Sequence, residues 1–537
     1  MKLGPKPAKL PKVALEARRQ VAERRKAHSA RESEQSHVVT VTDMMGAFAW
    51  MPFSIARLHT ALLLACCPIS EPDMALQWAS LTLSTAFSGV GCPEIAGSMV
   101  CCYFLAHLGI SVLGSNYPRH LRTLWAVECE PDAQDELRHS AYGPEHLFEN
   151  TLNFISSDVR RRIIQKSTQW SNAQLAAVGR AGDTCLSGAK CLCHNALTLC
   201  LALASDMHVA GSPCIDYSRQ WHAAKQTDGD SFPSTYAWML HRLHCLEALI
   251  VHENVAGFPV ELMVDVLGHV YLIFTHIYDS IRLGWVSTRS RRFTILVRRD
   301  LFVSIALPFE EYISMCRRHT AMTYHCFLTA SAAEIQGELE WASARPTSMT
   351  SVPDHLLSAV LFDECEQWGA PLEEVVKVAK ENQHTRALIP SECRRLYQYR
   401  QLALRTGGAT ALFFLAAYLG QEVNTHPQWS CKESINTIVS HSPILFVQAF
   451  GRWACPTELL ATQGIASSDA HINFGETTTF CTPRPGRDRA QIIVQAGNGM
   501  NTHAVGLAML WAFFSIKRKQ TVVLSNSLER LLSVLGD

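Results

Sequence analysis

Long apolar runs, net charge and repeated tracts are all scarce in this sequence. Charged residues make up only 18% of the 537, and 48 Lys/Arg offset 48 Asp/Glu to a formal net charge of zero. With 48% hydrophobic residues, this composition excludes a disordered or collagen-like chain and supplies apolar surface for two or more domains. The best apolar stretches noted, Ala61 to Cys67 and Ala196 to Ala204, fall short of the roughly 18 residues that span a bilayer, so no membrane segment is expected. The basic start is followed by more charge instead of an apolar core, so no secretory signal is expected either. The 19 cysteines are odd in number and include adjacent pairs such as Cys66–Cys67 and Cys101–Cys102, which fits a disulfide framework poorly. Reduced thiols in an intracellular protein are the expectation.

What is present is unevenly distributed. Residues 1–31 hold ten Lys/Arg against two Glu, leaving 38 basic and 46 acidic groups for the rest. A basic N-terminal arm over 1–37 is therefore read as a solvated extension, with a nucleic-acid contact or import patch as the alternative. Residues 38–80 read as a helical packing extension. From Leu81 the texture becomes short β-type runs alternating with helical segments: Leu81 to Phe87, Thr123 to Val127, Met207 to Ala210 and Ala248 to His252. That alternation predicts an α/β domain with a mostly parallel sheet over 81–300. Residues 301–450 lose the rhythm and carry charged helices such as Pro371 to Gln383, as a second, more helical unit with insertions. The segment 451–515 returns to the first domain, with a strand expected at Ile492 to Val494 and an apolar helix from Thr502 to Phe514, before a tail over 516–537.

Four strand ends carry candidate chemistry. Phe87-Ser88-Gly89-Val90-Gly91 lets the backbone pass close to a ligand ahead of a helix N-terminus, although Gly-x-Gly alone is often only a tight turn and the third glycine of the dinucleotide fingerprint is missing. Glu128 ends the second run, where a carboxylate can accept ribose hydroxyls or simply face solvent. Cys214, in Gly211-Ser212-Pro213-Cys214, is a candidate nucleophile among cysteines that mostly serve as small hydrophobes. Glu253, in His252-Glu253-Asn254-Val255, is a candidate general acid or an ordinary carboxylate.

In this order, and with 39 residues from Cys214 to Glu253, the series resembles the motifs of the DNA (cytosine-5) methyltransferases. Arg289-Ser290-Arg291 is similar to that family's Gln-x-Arg-x-Arg element. Arg452 through Pro456 with Glu458, Gln463 and Gly464 resembles its Arg…Glu…Gln-Gly segment, and Gln495 through Met500 its Gly-Asn-Ser-Val element. The resemblance covers about half the chain, residues 81–300 and 450–512. It implies a class I S-adenosylmethionine-dependent methyltransferase fold, Rossmann-like, with a smaller target-recognition domain at 301–450. It further implies methyl transfer from S-adenosyl-L-methionine to carbon 5 of cytosine in DNA. Cys214 would add to carbon 6 of a flipped base, Glu253 would act at ring nitrogen 3, and Arg289 and Arg291 would hold the cytosine carbonyl and favour the thiolate. For the cofactor it implies Phe87, Gly89, Gly91, Glu128, Pro213 and Asn498, with Asn150 of the Glu149-Asn150 pair as the best match for an adenine contact and Asp183 or Asp206 as alternatives.

The loop Ser218 to Ser231 is expected to close over the flipped base, and Arg292, Arg298 and Arg299 to meet phosphates. Departures from the family pattern are Ile215 and Asp216 after the cysteine, Ser287, Gly499, and a long step of 37 residues from Gly91 to Glu128. Cys185, Cys191, Cys193, His194 and Cys200 invite a zinc reading, but no Cys-x2-Cys pair is present, so no metal is predicted. The same chemistry on transfer RNA, and a catalytically weak nucleic-acid-binding scaffold, are the competing functions. A nuclear location follows only from the DNA substrate, and the oligomeric state is left open.

Overall fold

A computed structural model describes residues 39–67, 69–107, 121–140, 142–166, 188–192, 199–217, 229–345, 348–425, 427–440, 444–465 and 488–519. The basic arm, most of the Ser218–Ser231 loop, Cys185, Cys193 and His194 lie outside these residues.

Seven strands form the central sheet: β1 (Thr82–Ala86), β2 (Arg122–Val127), β3 (His146–Phe148), β4 (Met207–Ala210), β5 (Leu249–Val255), β6 (Tyr271–Asp279) and β7 (Ser290–Arg298). Their order is β3-β2-β1-β4-β5-β7-β6, and only β7 runs against the rest. The central strands β4 and β5 are buried along nearly their whole length, as expected for a parallel sheet covered on both faces. This is the expected α/β, mostly parallel architecture. The order reverses between β1 and β4, which opens a crevice at their carboxyl ends.

The helices that matter for the site are α1 (Trp50–Leu64), α2 (Glu71–Ala79), α3 (Cys92–His107), α4 (Phe232–Cys245), α5 (Arg489–Asn498) and α6 (Thr502–Phe514). All thirteen residues of α6 are buried. Gly506 lets α6 approach the Trp50 indole, which stacks on His503 at 4.9 Å. Residues 46–64 are long and apolar enough by composition to cross a bilayer, with mean hydropathy 1.3, against the expectation that no such segment is present. In this fold Trp50, Met51, Ile55, Leu58 and Leu62 are buried in the same core as α6.

Two expectations are corrected. Ile492 to Val494 is helical, not a strand, because Asp488 and Gln491 close a capping box that starts α5 just before that short apolar run. Part of the supposed tail is strand: Ile516–Arg518 pairs antiparallel with Phe302–Ile305. A second core runs from Ala342 to Trp453, built from helices and a small antiparallel sheet, while Phe309, Tyr312 and Phe327 pack into the first core. The second core thus starts later than residue 301.

Candidate active site

The crevice floor is the turn after β1. Its backbone turns left-handed at Phe87 (φ 56°), Gly89 (φ 60°) and Gly91 (φ 84°), the first a strained conformation for a residue with a side chain. A Cβ on Gly89 would meet nothing within 4 Å, so open space lies on that side of the turn. Glu128, at the tip of β2, is buried and accepts hydrogen bonds from the N–H groups of Gly89 (2.9 Å), Cys129 (2.9 Å) and Glu130 (3.2 Å). Burial pushes its carboxyl pKa up, against those three donors. A carboxylate offers about four lone-pair sites, so at least one remains for a ligand hydroxyl.

Asn150 follows β3, the next strand outward, and its Oδ1 caps the short helix Thr151–Phe154 by accepting the Leu152 N–H at 2.9 Å. Asp206 is ruled out as a partner here. Its carboxylate accepts the Thr82 N–H (2.9 Å) and hydroxyl (2.6 Å) at the amino end of β1, the wrong end of the sheet. Asp183 lies outside the described residues.

Cys214 hangs on a rigid loop after β4. Gly211 donates to the Ala86 carbonyl at 3.1 Å. Asn254 Nδ2 donates to both the carbonyl and Oγ of Ser212, each at 2.9 Å, and that Oγ also bonds His252 Nε2 at 2.7 Å. Burial lowers the His252 pKa to about 3, so this ring is a neutral structural partner. A Cβ on Gly211 would fall 3.4 Å from the Phe87 carbonyl, 3.5 Å from Glu253 Oε2 and 2.5 Å from Met500 Cε. One glycine therefore marks where four sequence-distant segments meet, and any larger residue there would displace Met500.

Glu253 is buried near the end of β5, and Arg291 Nε stands 3.0 Å from its Oε1. Arg289 is buried, its backbone N–H bonded to Asp279 at 2.8 Å and its guanidinium to the Gly497 carbonyl at 3.1 Å. Burial, reinforced by Arg291, lowers the Arg289 pKa to about 10, which leaves it cationic at neutral pH. For the Cys214 thiol, burial is the largest influence and raises the pKa; Arg291 and Arg289 pull it down and Glu253 pushes it up. The two arginines act on Cys214 in the expected thiolate-favouring direction, but burial outweighs them.

Asn498 is exposed at the last turn of α5. The next residue, Gly499, lies over the β1 turn, where a Cβ would be 3.4 Å from Cys92 Sγ and 3.7 Å from Val90 Cγ2. Pro213 is half-buried beside Cys214. Arg298 and Arg299 are corrected: β7 carries Arg298 about 27 Å from its start at Ser290, at roughly 3.4 Å per residue, and Arg299 follows in the turn beyond. There Arg298 bonds Asp300 and the Leu246 carbonyl, and Arg299 the Gly268 carbonyl. Arg292 bonds the Ala256 carbonyl. These contacts are structural.

Sequence reasoning missed two acids. Asp216 accepts the Ser231 N–H at 3.0 Å and also its hydroxyl. Gly229 packs so tightly on this carboxylate that a Cβ would lie 1.8 Å from its carbon, so Asp216 clasps the far end of the Ser218–Ser231 segment. Glu94, in the first turn of α3, accepts from the Thr85 hydroxyl (2.5 Å) and the Ser88 hydroxyl (3.2 Å), and burial raises its pKa to about 6. An acid three residues beyond the Gly-x-Gly turn was the only signal.

No family model matches this chain, and no curated protein matches it. Among solved structures it is similar to a candidate DNA modification methyltransferase encoded within an E. coli prophage, at 12% identity over 81% of this chain and 98% of that one, TM-score 0.39. It is also similar to the Entamoeba histolytica methyltransferase EhMeth (12%, 81% and 98%, TM-score 0.37) and to S. pombe Dnmt2 methyltransferase (11%, 80% and 97%, TM-score 0.39). Likeness at these TM-scores does not establish a common fold, and the fold class rests on the strand order above.

Proposed function

We propose that this chain transfers a methyl group from S-adenosyl-L-methionine to carbon 5 of cytosine in DNA. The observation that carries the reading is the meeting of Cys214, Glu253, Arg289 and Arg291 at the carboxyl ends of β4 and β5 and the amino end of the antiparallel β7, against the Phe87–Gly91 turn. The residues fit the cofactor: the turn is open beside Gly89, and Glu128 keeps acceptor capacity beside it. Phe87, Gly89 and Gly91 would line it, Glu128 would hold the ribose, and Asn150, Pro213 and Asn498 would border it. When bound, it supplies an electrophilic methyl group.

The chain's own residues do the rest. Cys214 Sγ adds to carbon 6 as the thiolate, and because burial favours the thiol its proton must first pass to solvent. Glu253 holds a proton at ring nitrogen 3, so that the electron pair displaced by the sulfur gathers at carbon 5 instead of leaving as charge on the ring. Arg291, already beside Glu253, and the cationic Arg289 stabilise the carbonyl oxygen of the base. Carbon 5 then takes the methyl group, the sulfur that carried it keeping the bonding pair, and loss of the carbon 5 proton to solvent expels Cys214 as the thiolate and restores the aromatic ring.

A base in a duplex is inaccessible to these groups, so it must be flipped out, and the Ser218–Ser231 loop, whose end at Ser231 bonds Asp216, would close over it. DNA as substrate makes the nucleus the expected compartment.

The test is transfer of labelled methyl from S-adenosyl-L-methionine to duplex DNA and to transfer RNA in parallel, with wild type and Cys214→Ala. Label in DNA that the variant abolishes is the expected result. Label in RNA alone keeps the chemistry and moves the substrate. No label from folded, cofactor-binding protein favours the scaffold.

A further inference from the structure

The edge strand β3 and a short hairpin place three metal-ligating side chains together. The hairpin pairs Gly188–Lys190 antiparallel with Leu199–Leu201, with Ala189 opposite Cys200. Cys191 lies two residues beyond Ala189, so by strand alternation it shares a face with Cys200. It bridges to Phe148 of β3, and the Leu192 N–H donates to the Leu147 carbonyl at 2.7 Å. His146 opens β3. The imidazole nitrogen of His146 and the sulfurs of Cys191 and Cys200 all lie within 4.8 Å of one another, with Cys191 Sγ 3.8 Å from His146 Nδ1. Both cysteines are buried and His146 is half-buried.

We propose that His146, Cys191 and Cys200 bind a zinc ion. One imidazole and two sulfurs suit a tetrahedral, borderline-soft cation better than the oxygen-seeking magnesium or calcium. With Zn–S of about 2.3 Å and Zn–N of about 2.05 Å, a tetrahedral ion requires S···N near 3.6 Å and S···S near 3.8 Å. The observed spacing is therefore reached by shifts of under about 1 Å. Binding converts the two thiols to thiolates and releases two protons, with no change of oxidation state; the fourth position is left to water or another donor.

The fold gives the ion a purpose. A hairpin with strands of three residues has little stability of its own, and it meets β3, the terminal strand of the central sheet, through few backbone contacts. One ion would tie both hairpin strands to that edge, beside the Glu149-Asn150 turn that borders the crevice. His146 stands 45 residues before Cys191, too far for a local ligand-spacing motif to reveal.

The experiment is metal analysis of full-length protein purified with reductant and without chelator, followed by cobalt(II) substitution. One zinc per chain is expected, with a sulfur-to-cobalt charge-transfer band and zinc-dependent protection of Cys191 and Cys200 from alkylation, mapped by peptide mass spectrometry. Cys191→Ser and Cys200→Ser should each weaken binding at least tenfold, while Cys214→Ala leaves it unchanged. The mapping is done on wild type, so misfolding of a variant does not blunt the test. Protein that carries no zinc and gives no cobalt–thiolate band, a Cys191–Cys200 disulfide in its place, or zinc that protects other cysteines instead overturns the proposal.

Discussion

At the scale of single residues, the account turns on which groups touch the reacting base and which hold them. Arg291 is one of two cations that lower the Cys214 pKa against burial, and it neighbours Glu253. Its removal raises the thiol pKa further, so Arg291→Ala should cut methyl transfer by about 10²-fold and move the alkaline rise of the rate to higher pH, read from a pH–rate profile. Asn254 acts through another residue. Asn254→Ala leaves the Ser212 carbonyl and hydroxyl without their donor, which costs about 1–3 kcal/mol of stability by denaturant titration and lowers kcat more than it raises the cofactor Kd.

Glu94 is a pH probe. Its pKa rises from 4.5 to about 6 on folding, so the folded state holds the proton more tightly, and stability falls as pH rises from about 4.5 to 6. Glu94→Gln keeps an acceptor for Thr85 and Ser88 and removes the titration. Relative to wild type it should gain about 1–2 kcal/mol between pH 4.5 and 7, measured as a difference in unfolding free energy.

Elements show where sequence was readable and where it was not. The strands Met207–Ala210 and Leu249–Val255 were legible from short apolar stretches that end in turn residues, and the helix Thr502–Phe514 from a longer apolar run. Ile492 to Val494 was not, since three apolar residues fit strand or helix and the capping box at Asp488 decides. Cys214, Glu253, Arg289 and Arg291 were singled out by their resemblance to a motif series, and the fold gathers these candidates in one crevice. Asp216 was not, because its role depends on Gly229 and Ser231 folding back onto it. Asp216→Ala should therefore release that return, leaving cofactor binding within about twofold, since Asp216 is not among the residues that border the crevice, while lowering methyl transfer into duplex more than into single-stranded substrate. Parallel assays on the two substrates check this.

Across the whole molecule, the first core includes the helical extension that sequence could describe but not place. Trp50 has no solvent exposure, packs against Gly506 and stacks on His503, so Trp50→Ala should cost about 3–5 kcal/mol in equilibrium unfolding. The second core, from Ala342 to Trp453, is tied to the first through the helix Ala332–Ser343. There Glu338 accepts from Arg489 of α5 at 2.6 Å and from Trp453 at 2.9 Å. Such long-range pairs leave no periodic trace in sequence. They nonetheless set where Gly497, the Arg289 partner, sits relative to the crevice.

The central claim is that Cys214 becomes covalently joined to carbon 6 of a flipped cytosine. It is tested most directly by incubating the protein and S-adenosyl-L-methionine with a duplex carrying 5-fluorocytosine, whose fluorine cannot leave as a cation and so blocks release of the enzyme. The account predicts a complex that survives denaturation, with the modified nucleotide mapped to the Cys214 peptide and lost in Cys214→Ala. Methyl transfer to ordinary cytosine by the same preparation without such an adduct, or an adduct on another cysteine, would contradict it.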